Sequence, residues 1–150
     1  MKIALCSDHG GLQLKNAIVE YLLMSGYEIK DFGTTSENSC DYPDFALLAA
    51  DAIRKGEYER GIFVCTTGIG ISIAANKVPS IRCALCHDPV SARLTREHNN
   101  ANVLALGGGV TGKNLALEIV KVFLETPFSN EAKHQRRIDK ITEIEKQFMK

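Results

Sequence analysis

The sequence has no excess charge of either sign: Lys plus Arg is 18, Asp plus Glu is 18, and the formal net charge is zero. That balance leaves no electrostatic footprint for nucleic acid or an anionic membrane surface, so neither is expected as a partner. Long apolar runs are also missing. None approaches the roughly 20 residues that a membrane-spanning helix needs. The opening stretch Met1-Lys2-Ile3-Ala4-Leu5-Cys6-Ser7-Asp8 reaches an acid too early for an export signal. No linker, low-complexity tract or internal repeat breaks the chain. The five cysteines, an odd number without an export signal, favour reduced thiols in the cytoplasm over a disulfide framework. What is present, 150 residues with 45% hydrophobic and 24% charged side chains, fits one globular domain spanning 1–150.

Short apolar runs alternate with helical patterns along the whole chain. Strands are expected at Ile3 to Cys6, Glu28 to Phe32, Gly61 to Cys65, Arg82 to Cys86 and Val103 to Leu106. Leu14, Ala17, Ile18, Tyr21 and Leu22 keep helical spacing, and Gly26 is placed to end that helix. Asp41, Pro43 and Asp44 form a helix-start signature ahead of Phe45 to Ile53. Further helices are expected from Ile71 to Lys77, from Pro89 to His98, and through Leu115, Ile119, Val122 and Phe123. A last one carries Ile138, Ile141, Ile144 and Phe148 on one face. Strands alternating with helices imply right-handed βαβ units. The fold class is therefore α/β, a Rossmann-like doubly wound five-stranded parallel sheet with helices on both faces and an extra C-terminal helix.

In such sheets ligands bind outside the carboxyl ends of the strands. Those ends carry Asp8-His9, Cys65-Thr66-Thr67-Gly68, His87-Asp88 and Gly107-Gly108-Gly109. Asp and Gly also simply end strands, but four such ends in one chain invite a chemical reading. Cys83-Ala84-Leu85-Cys86-His87 matches the C-x-x-C-H haem pattern. It lies on an expected strand, where residues three apart point to opposite faces, so buried structural thiols are favoured over haem or a redox pair. Gly107 to Lys113 completes G-x-x-x-x-G-K, but Asn114 replaces the hydroxyl residue that would bind Mg²⁺. A glycine-rich helix start able to hold an anion is preferred there to a nucleotide hydrolase. Gly68-Ile69-Gly70 lacks the third glycine of a dinucleotide fingerprint, and Ile71 stands where a cysteine-phosphatase loop needs Arg.

Cys65 survives these eliminations. A helix N-terminus stabilises thiolate, which equips Cys65 as a base or a nucleophile, and the amides of Thr67, Gly68 and Gly70 could receive an oxyanion. A buried Cys beside a glycine turn is the plain alternative. His98 with Asn99 and Asn100 reads equally as a helix end. Lys133, His134 and Arg137 share one helical face, either a solvated stripe or a phosphate grip.

Over essentially its full length the sequence resembles the type B ribose-5-phosphate isomerases and their allose-6-phosphate and galactose-6-phosphate relatives. The matching stretches are Ser7 to Gly11, Asp41-Tyr42-Pro43, Cys65 to Lys77, Glu97-His98-Asn99 with Asn102-Val103-Leu104, and His134-Gln135-x-Arg137. The resemblance implies aldose–ketose isomerisation of ribose 5-phosphate through an enediolate. It makes Cys65 the base, gives Thr67 a supporting role, and assigns enediolate stabilisation to the amides from Thr66 to Gly70. His98 with Asp8 opens the furanose ring. His9, Lys133, His134 and Arg137 hold the phosphate, while Tyr42 and Asn99 contact the sugar. It implies no cofactor and no metal, and a homodimer or tetramer with shared active sites. The readings kept beside it are an isomerase of a six-carbon sugar phosphate and an inactive sugar-phosphate-binding subunit.

Three positions depart from the family pattern. Thr66 and Gly109 stand where Gly and a phosphate-binding Arg are frequent, and Lys133 replaces another Arg, exchanging a bidentate fork for a point charge. A Gly109→Arg change is expected to tighten phosphosugar binding if there is room. The helix ending at His98 covers about 14 Å antiparallel to its strand, which carries His98 away from Cys65. A shared site across a two-fold interface is the expected remedy.

Overall fold

The computed structural model describes residues 1–149. Its five strands are β1 (Lys2–Ser7), β2 (Glu28–Asp31), β3 (Arg60–Cys65), β4 (Cys83–Leu85) and β5 (Val103–Gly107). They form one parallel sheet in the order β2-β1-β3-β5-β4. The helices are α1 (Leu12–Met24), α2 (Tyr42–Arg54), α3 (Ile69–Ala75), α4 (Pro89–Asn99), α5 (Lys113–Glu125) and α6 (Ala132–Phe148). This is the expected Rossmann-like architecture. The chain runs outward from β1 to β2 and then returns to β3 on the other side, so the switch point lies between β1 and β3.

Strand alternation divides the core into two layers. Ile3, Leu5, Ile62, Val64, Leu104 and Leu106 face Ile18 and Leu22 of α1, Ala92 of α4, and Ile119, Val120 and Phe123 of α5. The opposite face carries smaller groups: Ala4, Cys6, Cys65 and Ala105 lie with Ala46, Ala49 and Ala50 of α2 and Ala75 of α3, while Phe63 and Ile71 supply the bulk. Small residues on both sides let α2 settle close to the sheet.

Several boundaries differ from the sequence reading. Helix α3 starts at Ile69 instead of Ile71, because Gly68 turns the chain at φ 78. Asp41 is the N-cap of α2, but its side chain makes no capping bond. Strand β4 contracts to Cys83–Leu85, since Asn76 Oδ1 and Asn102 Oδ1 accept the N–H groups of Cys83 and Arg82. Cys83 and Cys86 pack into opposite core layers, and burial raises both thiols, Cys83 well above the usual range. They are protonated, inert thiols, as the strand argument requires.

Two buried cations escaped the sequence reading. Lys15 is fully buried in α1, bonded to Thr34 O and paired with Asp31 Oδ2 at 2.8 Å. It fastens the connection after β2 to α1. Arg96 is 1% exposed, and burial lowers its pKa to about 10, so it stays charged. It donates to Asn100 Oδ1, Ala101 O and Thr126 O, joining the carboxyl ends of α4 and α5. Both lie on buried helical stripes: Lys15 with Leu12, Ile18 and Leu22, and Arg96 with Ala92.

Candidate active site

The carboxyl ends of β1, β3 and β5 gather the first group of candidate residues. Ser7 lies beside Val64 and Cys65 beside Gly107, so Asp8, Thr66 and Gly108 leave the sheet next to one another. A crevice of about 330 Å³ opens there, lined by Asp8, Tyr42, Cys65, Thr66, Thr67, Ile69 and Gly70. A neighbouring one of about 510 Å³ shares Asp8 and Tyr42 and adds His9, Cys40, Asp41, Pro43 and Asp44.

Cys65 is 4% exposed, and its Sγ accepts the Gly68 N–H at 3.1 Å. The bond depends on Gly68 in the left-handed region. A Cβ there would also stand 2.8 Å from the Leu106 carbonyl carbon. The loop thus offers the sulfur a backbone donor in a nearly dry setting. This corrects the oxyanion reading in part. The Gly68 N–H is committed to sulfur and that of Ile69 to Thr67 Oγ1 at 3.2 Å, because the loop closes on itself. The N–H groups of Thr67 and Gly70 have no hydrogen bond among the described residues.

The other side chains of this group are fixed by the same loops. Asp8 Oδ1 accepts the Gly11 N–H at 3.1 Å, capping the short 3-10 turn His9–Gly11. His9 Nδ1 accepts the Cys40 N–H at 3.2 Å, so Nε2 carries the ring proton of the neutral imidazole and is the outward donor. Thr66 is wedged between two turns. A Cβ at Gly10 would lie 2.0 Å from its Oγ1, and one at Gly109 would lie 3.0 Å from its Cγ2. Gly109→Arg therefore has room only if the exposed Thr66 side chain gives way by a few tenths of an ångström.

The second group stands elsewhere. His98 and Asn99 form the last turn of α4, which ends on Asn100 in the left-handed region. Arg82 holds that end, donating to the carbonyls of Asn99 and Asn100 at 2.9 and 3.0 Å. The Thr95 hydroxyl donates to Asn99 Oδ1 at 3.1 Å. The His98 ring stacks on His134 with centroids 4.2 Å apart and planes 17° from parallel. Lys133 and Arg137 flank His134 on α6 and are exposed. Asn99, with Arg82 and Thr95, lines a crevice of about 420 Å³ beside Ile141 and Ile144, which Cys65 does not line, and His98, Lys133, His134 and Arg137 line neither this crevice nor that of Cys65. One chain therefore does not bring His98, Asn99, Lys133, His134 and Arg137 to Cys65, nor His98 to Asp8.

Burial makes His134 a poorer cation for the phosphate grip expected of it. Burial, with the neighbouring His98, Lys133 and Arg137 adding to it against an opposing pull from Glu131, holds its pKa below the usual histidine value. The unfolded chain then binds more protons than the native state between the two pKa values, so stability falls as pH drops through that window. We expect the melting temperature to decrease between about pH 7 and pH 5. The decrease should be smaller in His134→Gln, as thermal unfolding followed by circular dichroism would show; an unchanged slope would remove His134 as the cause.

Among the described residues no three His, Cys, Asp or Glu side chains converge to hold a metal ion. No helix among them is long and apolar enough to cross a membrane.

Comparison with known proteins agrees with this arrangement. The Ribose/Galactose Isomerase family profile matches residues 3–141. Ribose-5-phosphate isomerase B of Escherichia coli is 46% identical over 144 residues, covering 96% of each chain. D-erythrulose-4-phosphate isomerase of Pectobacterium atrosepticum is 45% identical over 130 residues, covering 85% of each. The solved ribose-5-phosphate isomerase B of Clostridium thermocellum superposes with a TM-score of 0.97 at 53% identity, covering 99% of both chains. The parallel sheet, the cysteine at its switch point and this similarity lead to one conclusion: the chain belongs to the Ribose/Galactose Isomerase family, a family of aldose–ketose isomerases.

Proposed function

We propose that this protein interconverts ribose 5-phosphate and ribulose 5-phosphate through an enediolate. The observation that carries the reading is Cys65 Sγ, held by the Gly68 N–H in a crevice with Asp8, Tyr42 and Thr67. In the forward direction the sulfur removes the C2 proton of the open-chain aldose and the electron pair moves onto O1. A proton passes from O2 to O1, and the sulfur returns its proton to C1, so atoms balance and no external oxidant or reductant is used. The free N–H groups of Thr67 and Gly70 meet the charge that develops on oxygen. Tyr42 contacts the sugar, joined by Asn99 of a second copy of the chain.

The ring-opening group is His98 from a second copy of the chain. Within one chain α4, 11 residues long, takes His98 roughly 15 Å back along the sheet. Exposed Ile69 of α3 lines the Cys65 crevice and, with exposed Ile73 of α3 and Leu47 and Leu48 of α2, provides an apolar seat for that copy. Exposed Ile141, Ile144 and Phe148 of α6 extend the contact. The phosphate is held by the His9 Nε2–H and, from the second copy, by Lys133 and Arg137, with His134 orienting His98 through the stack.

Incubation with ribose 5-phosphate should yield ribulose 5-phosphate. Arg137→Ala should raise KM about tenfold or more through loss of a charge-assisted fork. Faster turnover of free ribose than of its phosphate would overturn the reading. A second reading, a different sugar phosphate, is favoured by the Thr66–Gly109 packing, which leaves no side chain from position 109 to grip phosphate. It predicts faster turnover of a six-carbon substrate such as allose 6-phosphate.

A further inference from the structure

The end of α4 that carries His98 and Asn99 is tied to the rest of the chain through its backbone. Arg82, just before β4, donates to the Asn99 and Asn100 carbonyls at 2.9 and 3.0 Å. Its own N–H donates to Asn102 Oδ1 at 2.8 Å, and Asn102 Nδ2 donates to Ser80 O at 2.9 Å. Ser80 stands in the left-handed region at φ 70, and both carboxylate oxygens of Glu145 on α6 accept its N–H, at 3.0 and 3.2 Å. The main chain of Asn99 is thus fixed from β4 through to α6. Its side chain is exposed, and rotation of that side chain is the freedom left at this position.

Thr95, one turn earlier on the same helical face, takes up that freedom. The hydroxyl of a helical threonine can turn back to the carbonyl four residues before it. Thr126 at the end of α5 and Thr142 within α6 do so, donating to Val122 O and Ile138 O at 2.6 and 3.2 Å. The Thr95 hydroxyl instead donates forward to Asn99 Oδ1 at 3.1 Å. With Oδ1 engaged, the free end of the Asn99 amide is Nδ2, a group with two donors and no acceptor. Thr95 and Asn99 line the same crevice.

We propose that Thr95 is a positioning residue for the sugar contact of Asn99, holding the amide so that Nδ2 is presented as the donor to sugar hydroxyl oxygens. The inference rests on the isomerase reading above, in which Asn99 reaches the sugar bound in a second copy of the chain. Thr95 itself touches no substrate. It acts in two ways through Asn99. It excludes the flipped amide, whose oxygen would meet the sugar as an acceptor, and it orders in advance a polar side chain whose immobilisation on binding would otherwise cost affinity.

Steady-state kinetics of the full chain with ribose 5-phosphate tests this. Thr95→Val keeps the shape of the side chain and loses the donor, so KM should rise roughly two- to tenfold, the span of one hydrogen bond, with kcat unchanged. Thr95→Ser, which keeps the hydroxyl, should restore the original KM. In an Asn99→Ala background Thr95→Val should have no further effect, because a residue that acts only through Asn99 has nothing left to position. Thr95 lies half-buried on the helix surface outside both core layers, so its variants should fold, and Thr95→Ala removes the same donor as a second variant. The inference is overturned if Asn99→Ala raises KM while Thr95→Val and Thr95→Ala do not. It is also overturned if Thr95→Val acts equally with and without Asn99, the mark of a purely structural role. An Asn99→Ala variant with unchanged KM overturns the sugar contact and the inference together, whereas an unsubstituted chain inactive on every sugar phosphate overturns the isomerase reading itself and the inference with it.

Discussion

Cys65→Ala is expected to lower the rate of ribose 5-phosphate isomerisation by roughly 10²- to 10⁴-fold, the contribution of a positioned base. The loss should fall on kcat, because the sulfur acts on the reacting carbon while the phosphate contacts remain. Folding should survive. Removing one buried sulfur costs on the order of 1 kcal/mol, and the neighbours are already small side chains such as Ala4 and Ala105. Cys83→Ala and Cys86→Ala serve as controls: both thiols are held protonated by burial in the core layers, and both variants should retain turnover. Steady-state kinetics on the three variants with matched melting curves checks this. Near-wild-type kcat in Cys65→Ala would rule out the assigned base.

Mixing two inactive proteins should restore activity. Cys65→Ala retains His98 and His98→Ala retains Cys65, so a heterodimer of the two contains one complete site and one doubly defective site. The recovered activity should approach a quarter of the wild-type value per chain, since random exchange yields about half heterodimers with one good site of two. Subunit exchange can be verified by mass spectrometry of differently labelled chains. Exchange without recovery would show that His98 serves its own chain, and the geometric argument from α4 would fail. Restored activity would in turn fix the orientation of the two copies, because only a packing that sets the α4 carboxyl end of one against the β3 carboxyl end of the other completes a site.

The sheet was readable from the alternation of short apolar runs with helical patterns, and the strand-end residues Asp8, Cys65 and Gly107 were placed correctly by the rule for open α/β sheets. The separation of His98 from Cys65 was also readable, since helix rise alone demands it. Local hydrogen bonding was not. Whether the Gly68 N–H turns to the Cys65 sulfur or to open solvent depends on one left-handed residue, and no periodicity reports it. The lowered pKa of His134 depends on burial against α4, a tertiary fact. Lys15 and Arg96 left a detectable trace, a cation on an otherwise apolar stripe, but a stripe does not say which carbonyls the cation will meet. Thr66 and Gly109 were noted as separate departures; only the fold shows that the methyl of one lies against the place where the other would carry a side chain.

The small-residue layer between α2 and the sheet bears on which base this scaffold can evolve. Position 65 belongs to the buried layer of Ala46, Ala49 and Ala50, and on its other side it lines the crevice at the switch point. Imidazole or a glutamate side chain would have to project into that crevice and take space from a substrate, and aspartate would carry a permanent charge beside an alanine floor. Cysteine combines minimal volume with a proton that can be lost nearer to neutral pH than that of serine. In this scaffold the choice of reactive group is thus coupled to the space left for the substrate, and a larger group at position 65 would have to be matched by a wider crevice.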